Sequence, residues 1–270
     1  MSNQNYSAGA VPVPSSFIEH LHKHGKSGLF LTGIIMFTVG IVISNIMFAN
    51  VFFIIIPLAI AALPIIGFWL IFAAAKNPKQ PEKTLTALVL FKVSMIISLV
   101  GIGLVVLGML LIFIIMAAVL AVEFGGLPAV ILLIAFLPAV AIIVLTIIFY
   151  YVPVFRILQS IKFNIMHNAF TRIRGVKPFT IFFFIIMAFG VVGGLIGLAL
   201  IGTFDYFLDD FMNYLILEAP ELRPYEHLIW DAWDGLVPSM AISTLFGIVS
   251  SVGSALCVVS LNKFANSMPR

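Results

Sequence analysis

The sequence predicts an all-α polytopic membrane protein, a six-transmembrane-helix bundle accompanied by amphipathic surface helices. The chain is 62% apolar and 9% charged, whereas roughly 25% of the residues in a soluble domain are charged. Long uncharged stretches recur along the chain, and a helix needs about 20 residues to cross the hydrocarbon core. Lys and Arg cluster between alternate stretches, which is typical of a chain whose every second loop is cytoplasmic.

The N-terminal region is polar. Residues 1–14 mix Ser, Asn, Gly and Pro without periodicity, which predicts a disordered cytoplasmic tail. Residues 15–270 are predicted to form a single six-span membrane domain. About 26 mostly polar residues precede the first apolar run. This is too many for a cleavable signal, so the first span is expected to remain as an anchor.

A short amphipathic helix follows the tail. Ser16 and Glu19 have the spacing of a capping box, and Gly25 fits a C-terminal stop. His20 and His24 lie one turn apart, so a metal site is one alternative. Because no Cys or second carboxylate is nearby, we interpret them as solvated histidines of an interfacial helix, and we predict no metal.

The first two spans come from one uncharged stretch. Residues 27–75 comprise 49 residues without charge, enough for two helices joined by a tight turn. We place the spans at 28–47 and 51–75. Pro57 and Pro64 in the second span should kink it or free backbone carbonyls. Packing against neighbours is the favoured purpose, and a substrate path is the alternative.

The third and fourth spans are predicted at 93–121 and 127–150, with Glu123 in a short external turn. Four lysines return the chain to the cytoplasm before them: Lys76, Lys79, Lys83 and Lys92. Residues 152–170 should continue as an amphipathic helix on the inner surface. Its apolar face consists of Val154, Leu158, Ile161 and Ile165.

The fifth span, at 179–202, has ends of opposite charge. An uncharged interval of 27 residues, 178–204, separates a basic segment from an acidic one. The external segment 203–237 then begins with an amphipathic helix. Its acidic residues are interpreted as a solvated face, and a divalent-cation site is the alternative left open. The sixth span is predicted at 236–262.

The distribution of basic residues sets the orientation. Six spans with both termini cytoplasmic place 13 of the 14 Lys and Arg inside and leave only Arg223 outside. Nine of the 11 acidic residues then lie outside. The expected location is the plasma membrane of a bacterium.

Two sets of residues are candidate sites. One is a pair of small-residue faces for helix packing, on the fifth and sixth spans. It comprises Gly190, Gly193, Gly194 and Gly197, with Ser239, Ser243, Gly247, Ser250 and Ser254. The alternative for the serine stripe is a polar pathway. The other set is a basic rim expected to attract anionic lipid. It comprises Lys76, Lys79, Lys83, Arg156, Lys162, Arg172, Arg174 and Lys177.

The available chemistry argues against catalysis. No span carries a carboxylate, His or Arg at depth, which disfavours proton-coupled carriers, pumps and voltage sensors. HExxH, P-loop and GxSxG motifs are missing. Cys257 is the sole cysteine, so neither an intramolecular disulfide nor a cysteine metal cage can form. We predict no catalytic residue and no cofactor.

Two function classes follow from these observations. The favoured class is a non-enzymatic membrane protein that acts through protein or lipid contacts, as an accessory or sensory subunit. The alternative is a small permease or lipid-handling transporter for neutral or apolar cargo. The expected partners are membrane lipids and another membrane protein, with no nucleic acid. A cavity reaching the middle of the membrane would favour the alternative, and a tightly filled bundle would favour the first class.

Overall fold

The computed structural model describes residues 17–47, 51–76, 81–124, 137, 140–167, 169–218, 223–224 and 226–268. The predicted tail, Lys79 and the expected start of the fourth span lie outside these residues. Every regular element in the described part of the chain is helical. Six helices are long and apolar enough to cross a membrane. The prediction of an all-α, multi-pass membrane bundle is therefore confirmed.

Seven helices make up the described chain. They are α1 (Phe17–Gly25), α2 (Gly28–Met47), α3 (Val51–Lys76), α4 (Pro81–Phe124), α5 (Val140–Met166), α6 (Val176–Glu218) and α7 (Glu226–Asn266). All but α1 contain a candidate membrane span. Residues Ile147–Tyr151 of α5 form π-helical turns.

The surface helices expected after the fourth and fifth spans are instead continuations of those spans. Residues 152–166 belong to the same apolar helix as 140–151, and their Ile157, Ile161 and Ile165 side chains are buried. Residues 203–218 extend α6 to 43 residues. A helix, once nucleated, gains one hydrogen bond for each added residue. No proline stops α6 before Glu218, so it continues past the membrane core.

The N-terminal and C-terminal spans, α2 and α7, form the most extensive helix pair of the fold. They run antiparallel, and glycines allow their backbones to meet. A Cβ atom on Gly40 would lie 2.5 Å from the Ser250 amide nitrogen, and one on Gly33 would lie 2.8 Å from Cys257 Sγ. The Ser243 hydroxyl donates to the Ser44 carbonyl at 3.0 Å. Close contact and interhelical hydrogen bonds hold such pairs together in lipid.

One end of the bundle, here called the basic end, holds α1, the C-terminal ends of α3, α5 and α7, and the N-terminal ends of α4 and α6. All described Lys and Arg except Arg223 belong to these segments or to the short connections after α1 and α5. The largest cluster of buried apolar side chains lies here. It includes Phe17, Leu88, Ile157, Ile161, Ile173, Val176, Phe179 and Phe264. Towards the other end, α4 and α6 present broad apolar surfaces, such as Leu104 and Phe189, as expected of lipid-facing helices.

Candidate functional site

A cavity of about 400 Å³ lies inside the bundle, in the half next to the basic end. Residues from α1 and from all six spans line it. On α7 the lining extends from Phe264 to Ser254, a distance of about 15 Å at the helical rise of 1.5 Å per residue. On α2 it reaches Phe37, half-way along a helix of 20 residues. The cavity therefore extends from the basic end to the middle of the membrane-spanning region.

Phenylalanines from three helices form one wall of the cavity. Phe68 on α3 stands edge-to-face with Phe30 and Phe37 of α2, at centroid distances of 6.1 and 5.4 Å. It also meets Phe91 of α4 at 4.8 Å. A Cβ on Gly67 would lie 3.0 Å from the Phe91 ring, so this glycine allows the ring to approach α3. Edge-to-face pairs are worth about 0.5–1.5 kcal/mol beyond their area, which should keep this wall rigid.

Aromatic side chains of α5 and α6 form the facing wall. Phe179 packs against Tyr150 at 5.5 Å and against Phe183 at 5.7 Å. Tyr151 adjoins them and is buried. The π-helical turns over residues 147–151 place these two consecutive tyrosines in the lining. Such turns are frequent at functional sites.

The polar groups of the lining are few and uncharged. They are the hydroxyl groups of Ser94, Ser98, Tyr150, Tyr151, Ser254 and Ser260, the thiol of Cys257 and, at the basic end, the imidazole of His24, whose pKa is lowered by burial. Some of these groups already have hydrogen-bond partners within the protein, since the Ser254 hydroxyl donates to the Ser250 carbonyl at 2.9 Å. No Asp, Glu, Lys or Arg is among the described residues that line the cavity. A charged guest would lose its hydration without an opposite charge, so the lining favours a neutral, mostly apolar one.

Helix α1 partly covers the cavity at the basic end. Leu21, His24 and Gly25 contribute to the lining. A Cβ on Gly25 would lie 2.7 Å from Ala75 Cβ, so α1 rests directly on the end of α3. Phe17 stands edge-to-face with Phe264 at 5.6 Å, and His24 does so at 5.2 Å. These contacts make α1 a cover for the cavity.

The cover contains a buried histidine. His22 is 5% exposed, and neither of its ring nitrogens has a hydrogen-bond partner among the described residues. Burial, followed by the charge of Lys26, lowers the pKa of His22. Burial also lowers the pKa of His24, with smaller effects from His20 and its neighbouring lysines. Both shifts favour the neutral imidazole in this structure.

No family model matches the chain, and no curated protein or solved structure is significantly similar to it. The cavity is therefore the main indication of function. Within the residues that the structure describes, no three His, Cys, Asp or Glu side chains come together as a group that could hold a metal ion.

The serine face of α7 and the glycine face of α6 are not brought together as a pair. Ser243 bonds to Ser44 and Ser250 meets Gly40, so this face packs on α2. Gly194 contacts Ile248 of α7 at 3.4 Å, but no described atom lies within 4 Å of a Cβ built on Gly190, Gly193, Gly197 or Gly247. Ser239 and Ser254 lie on α7 with intermediate exposure. Contacts with a neighbouring helix are therefore seen at Gly194, Ser243 and Ser250, and packing at the other positions stays a prediction.

The basic-rim residues that the structure describes all lie at the basic end. Lys76, Arg156, Lys162, Arg172, Arg174 and Lys177 are exposed, and Lys83 is half-buried. Lys76 lies over the Phe72 ring at 4.8 Å. Arg172, Arg174 and Lys177 line a second cavity, which is described below. The basic rim therefore divides into three residues that line a cavity and others that do not.

The sequence did not reveal the aromatic lining. Phe30 and Phe37 are seven residues apart, and so are Gly33 and Gly40. Two pairs at this spacing mark two stripes along α2, one aromatic and one small. In a chain with 26 phenylalanines such a stripe does not stand out.

Proposed function

We propose that this protein binds a neutral apolar or amphipathic molecule in the cavity beneath α1, as a small permease or lipid-handling protein. The observation that carries the proposal is a cavity of about 400 Å³ that has an uncharged lining and reaches mid-span. Ligand cavities are typically about 300–1,000 Å³. A dry cavity of about 150 Å³ can hold benzene, so a segment of acyl chain is a fitting guest.

This proposal reverses the order of the two function classes given by sequence alone. The class that acts only through protein or lipid contacts requires no internal space. Here the side chains of all six spans line a space between the helices instead of filling it. The distribution of Lys and Arg supports an orientation in which the basic end faces the cytoplasm. The cavity would then open towards the cytoplasm when α1 moves aside.

The thiol of Cys257 provides a direct test. Cys257 lines the cavity and is the sole cysteine, so the rate at which N-ethylmaleimide labels the full-length protein reports occupancy. Hexadecanol should slow this labelling in lipid nanodiscs. Hexadecanoate, which has the same chain with a negative charge, should slow it far less. Equal labelling with and without hexadecanol would refute the proposal.

A matched pair of variants separates occupancy from general effects on the membrane. Ser98 lines the cavity, so Ser98→Phe should narrow it and weaken the protection by hexadecanol. Ile97, the preceding residue on α4, is 37% exposed and outside the lining. Ile97→Phe should therefore leave the protection unchanged.

A further inference from the structure

A second cavity, of about 580 Å³, lies at the basic end between residues 172–178 and the last turns of α7. Three basic side chains line it, those of Arg172, Arg174 and Lys177. Asn262 and Asn266 of α7 add two amide side chains. No acidic residue is among the described residues that line it. The three positive charges therefore have no opposite charge in the cavity.

The backbone that carries the arginines is held in place. Asn164 is fully buried and bonds Thr171 three times, donating to its carbonyl at 2.8 Å and accepting from its amide at 3.2 Å and its hydroxyl at 2.6 Å. The Arg174 amide donates to Ser160 Oγ at 3.4 Å. Gly175 has φ of +92°, in the left-handed region where a residue with a side chain is strained. The basic segment is thus a built loop that presents its side chains to one cavity.

The second cavity lies level with the start of a candidate membrane span, which bears on the kind of molecule that can reach it. The fifth candidate span begins at Val176, so the cavity lies where a hydrocarbon core meets its headgroups. Ile181 and Ile185 follow Lys177 at intervals of four residues and share its helix face. Their side chains are 54% and 49% exposed. An acyl chain attached to a group held at Lys177 has an apolar surface along which to lie.

We infer that this second cavity binds the phosphate group of an anionic phospholipid. Arg pairs with phosphate oxygens through two parallel N–H donors, and Lys adds a point charge. The asparagine amides supply neutral donors for the remaining oxygens. This site is separate from the apolar cavity, and its guest is held by charge.

Native mass spectrometry of the full-length protein in neutral detergent tests the inference. Phosphatidylglycerol should be retained in preference to phosphatidylcholine. A nearby basic residue contributes roughly a fivefold change in affinity for anionic lipid. The triple variant Arg172→Gln, Arg174→Gln, Lys177→Gln should therefore lose affinity by roughly 100-fold. A triple variant with the same change in charge, Lys76→Gln, Lys83→Gln, Lys162→Gln, lies outside the cavity and should lose much less.

Three outcomes would overturn the inference: equal losses in the two triple variants, equal retention of the two lipids, or displacement of the lipid by millimolar inorganic phosphate. The last would indicate a free-phosphate site. Asn262→Phe narrows the cavity without removing charge, and it should also weaken retention of phosphatidylglycerol. This variant keeps the test decisive if the triple variant folds poorly. Protection of Cys257 by hexadecanol should persist in both cavity variants. The proposals for the two cavities can therefore be refuted independently.

Discussion

Replacing Gly253 by Ala should destabilise the protein, because α2 and α7 meet at this residue. A Cβ atom there would overlap the Phe37 amide and would lie 2.7 Å from the Gly33 carbonyl oxygen and 2.9 Å from the Met36 carbonyl carbon. All three atoms belong to the α2 backbone, which cannot rotate away as a side chain would. The two helices must separate.

The expected loss follows from the distances. Carbon atoms pack at about 3.5–4.0 Å, so α2 must move by roughly 1 Å. Overpacking of this kind costs about 1–3 kcal/mol. The separation also stretches the serine pairs Ser44–Ser243, at 3.1 Å, and Ser27–Ser260, at 3.4 Å, and each such bond is worth ~0.6 kcal/mol. The sum is about 2–4 kcal/mol. At about 2–4 °C per kcal/mol, the unfolding midpoint should fall by roughly 5–15 °C.

Cys257 again provides the measurement. A bulky thiol-reactive fluorescent dye is too large for a cavity of about 400 Å³, so, unlike the small N-ethylmaleimide, it labels this buried thiol only after unfolding. Gly247→Ala on the same helix is the control, since no described atom lies within 4 Å of a Cβ there. Ala has a higher helix propensity than Gly, so the control should be unchanged or slightly more stable. Equal midpoints for the two variants would refute the close approach of α2 and α7.

Three further changes test other parts of the structure. Because burial, and then Lys26, lowers the pKa of His22 from 6.5, stability should be full above pH 6.5 and fall as the pH drops through the lowered pKa. His22→Phe should weaken this dependence of the unfolding midpoint, whereas the exposed His167→Gln should not. Asn164→Ala, which removes three hydrogen bonds to Thr171, should cost about 2–4 kcal/mol, and the exposed Asn266→Ala should cost under about 0.5 kcal/mol. Reporters fused within residues 78–90 should read cytoplasmic, and an external reading would overturn the proposed orientation.

Hydropathy and charge were sufficient to place most of the spans. The expected spans at 28–47 and 51–75 coincide with α2 and α3 almost residue for residue, because charges or turn residues bound both stretches. The ends of α4 and α6 could not be predicted as closely from the sequence. Both helices continue well beyond the apolar stretch, where only the local propensity of polar residues determines where a helix stops.

Helix pairing could not be read from hydropathy for a physical reason. In water, an amphipathic stripe marks the buried face of a helix. In a bilayer, both the lipid and the neighbouring helix are apolar, so the inner and outer faces of a span have similar compositions. The apolar residues Phe37 and Ile35 lie on the same span, yet Phe37 lines the cavity and Ile35 is 45% exposed. Nothing in their hydrophobicity separates them.

Small residues carry the pairing information, but only in combination with a partner. Gly190 and Gly194 have GxxxG spacing, yet a Cβ on Gly190 would meet no described atom. Gly33 and Gly40 are seven residues apart, and each lies against the α7 backbone, where Gly253 and Ser250 are themselves small. Two backbones approach only where both faces lack bulk. A glycine stripe therefore predicts a contact when a second small-residue stripe of matching length runs antiparallel to it, as along α2 and α7. The contrast between small and bulky residues also accounts for the cavity. Small residues let α2 and α7 pack tightly on one side of the bundle, whereas phenylalanines keep α3 and α4 apart from this pair.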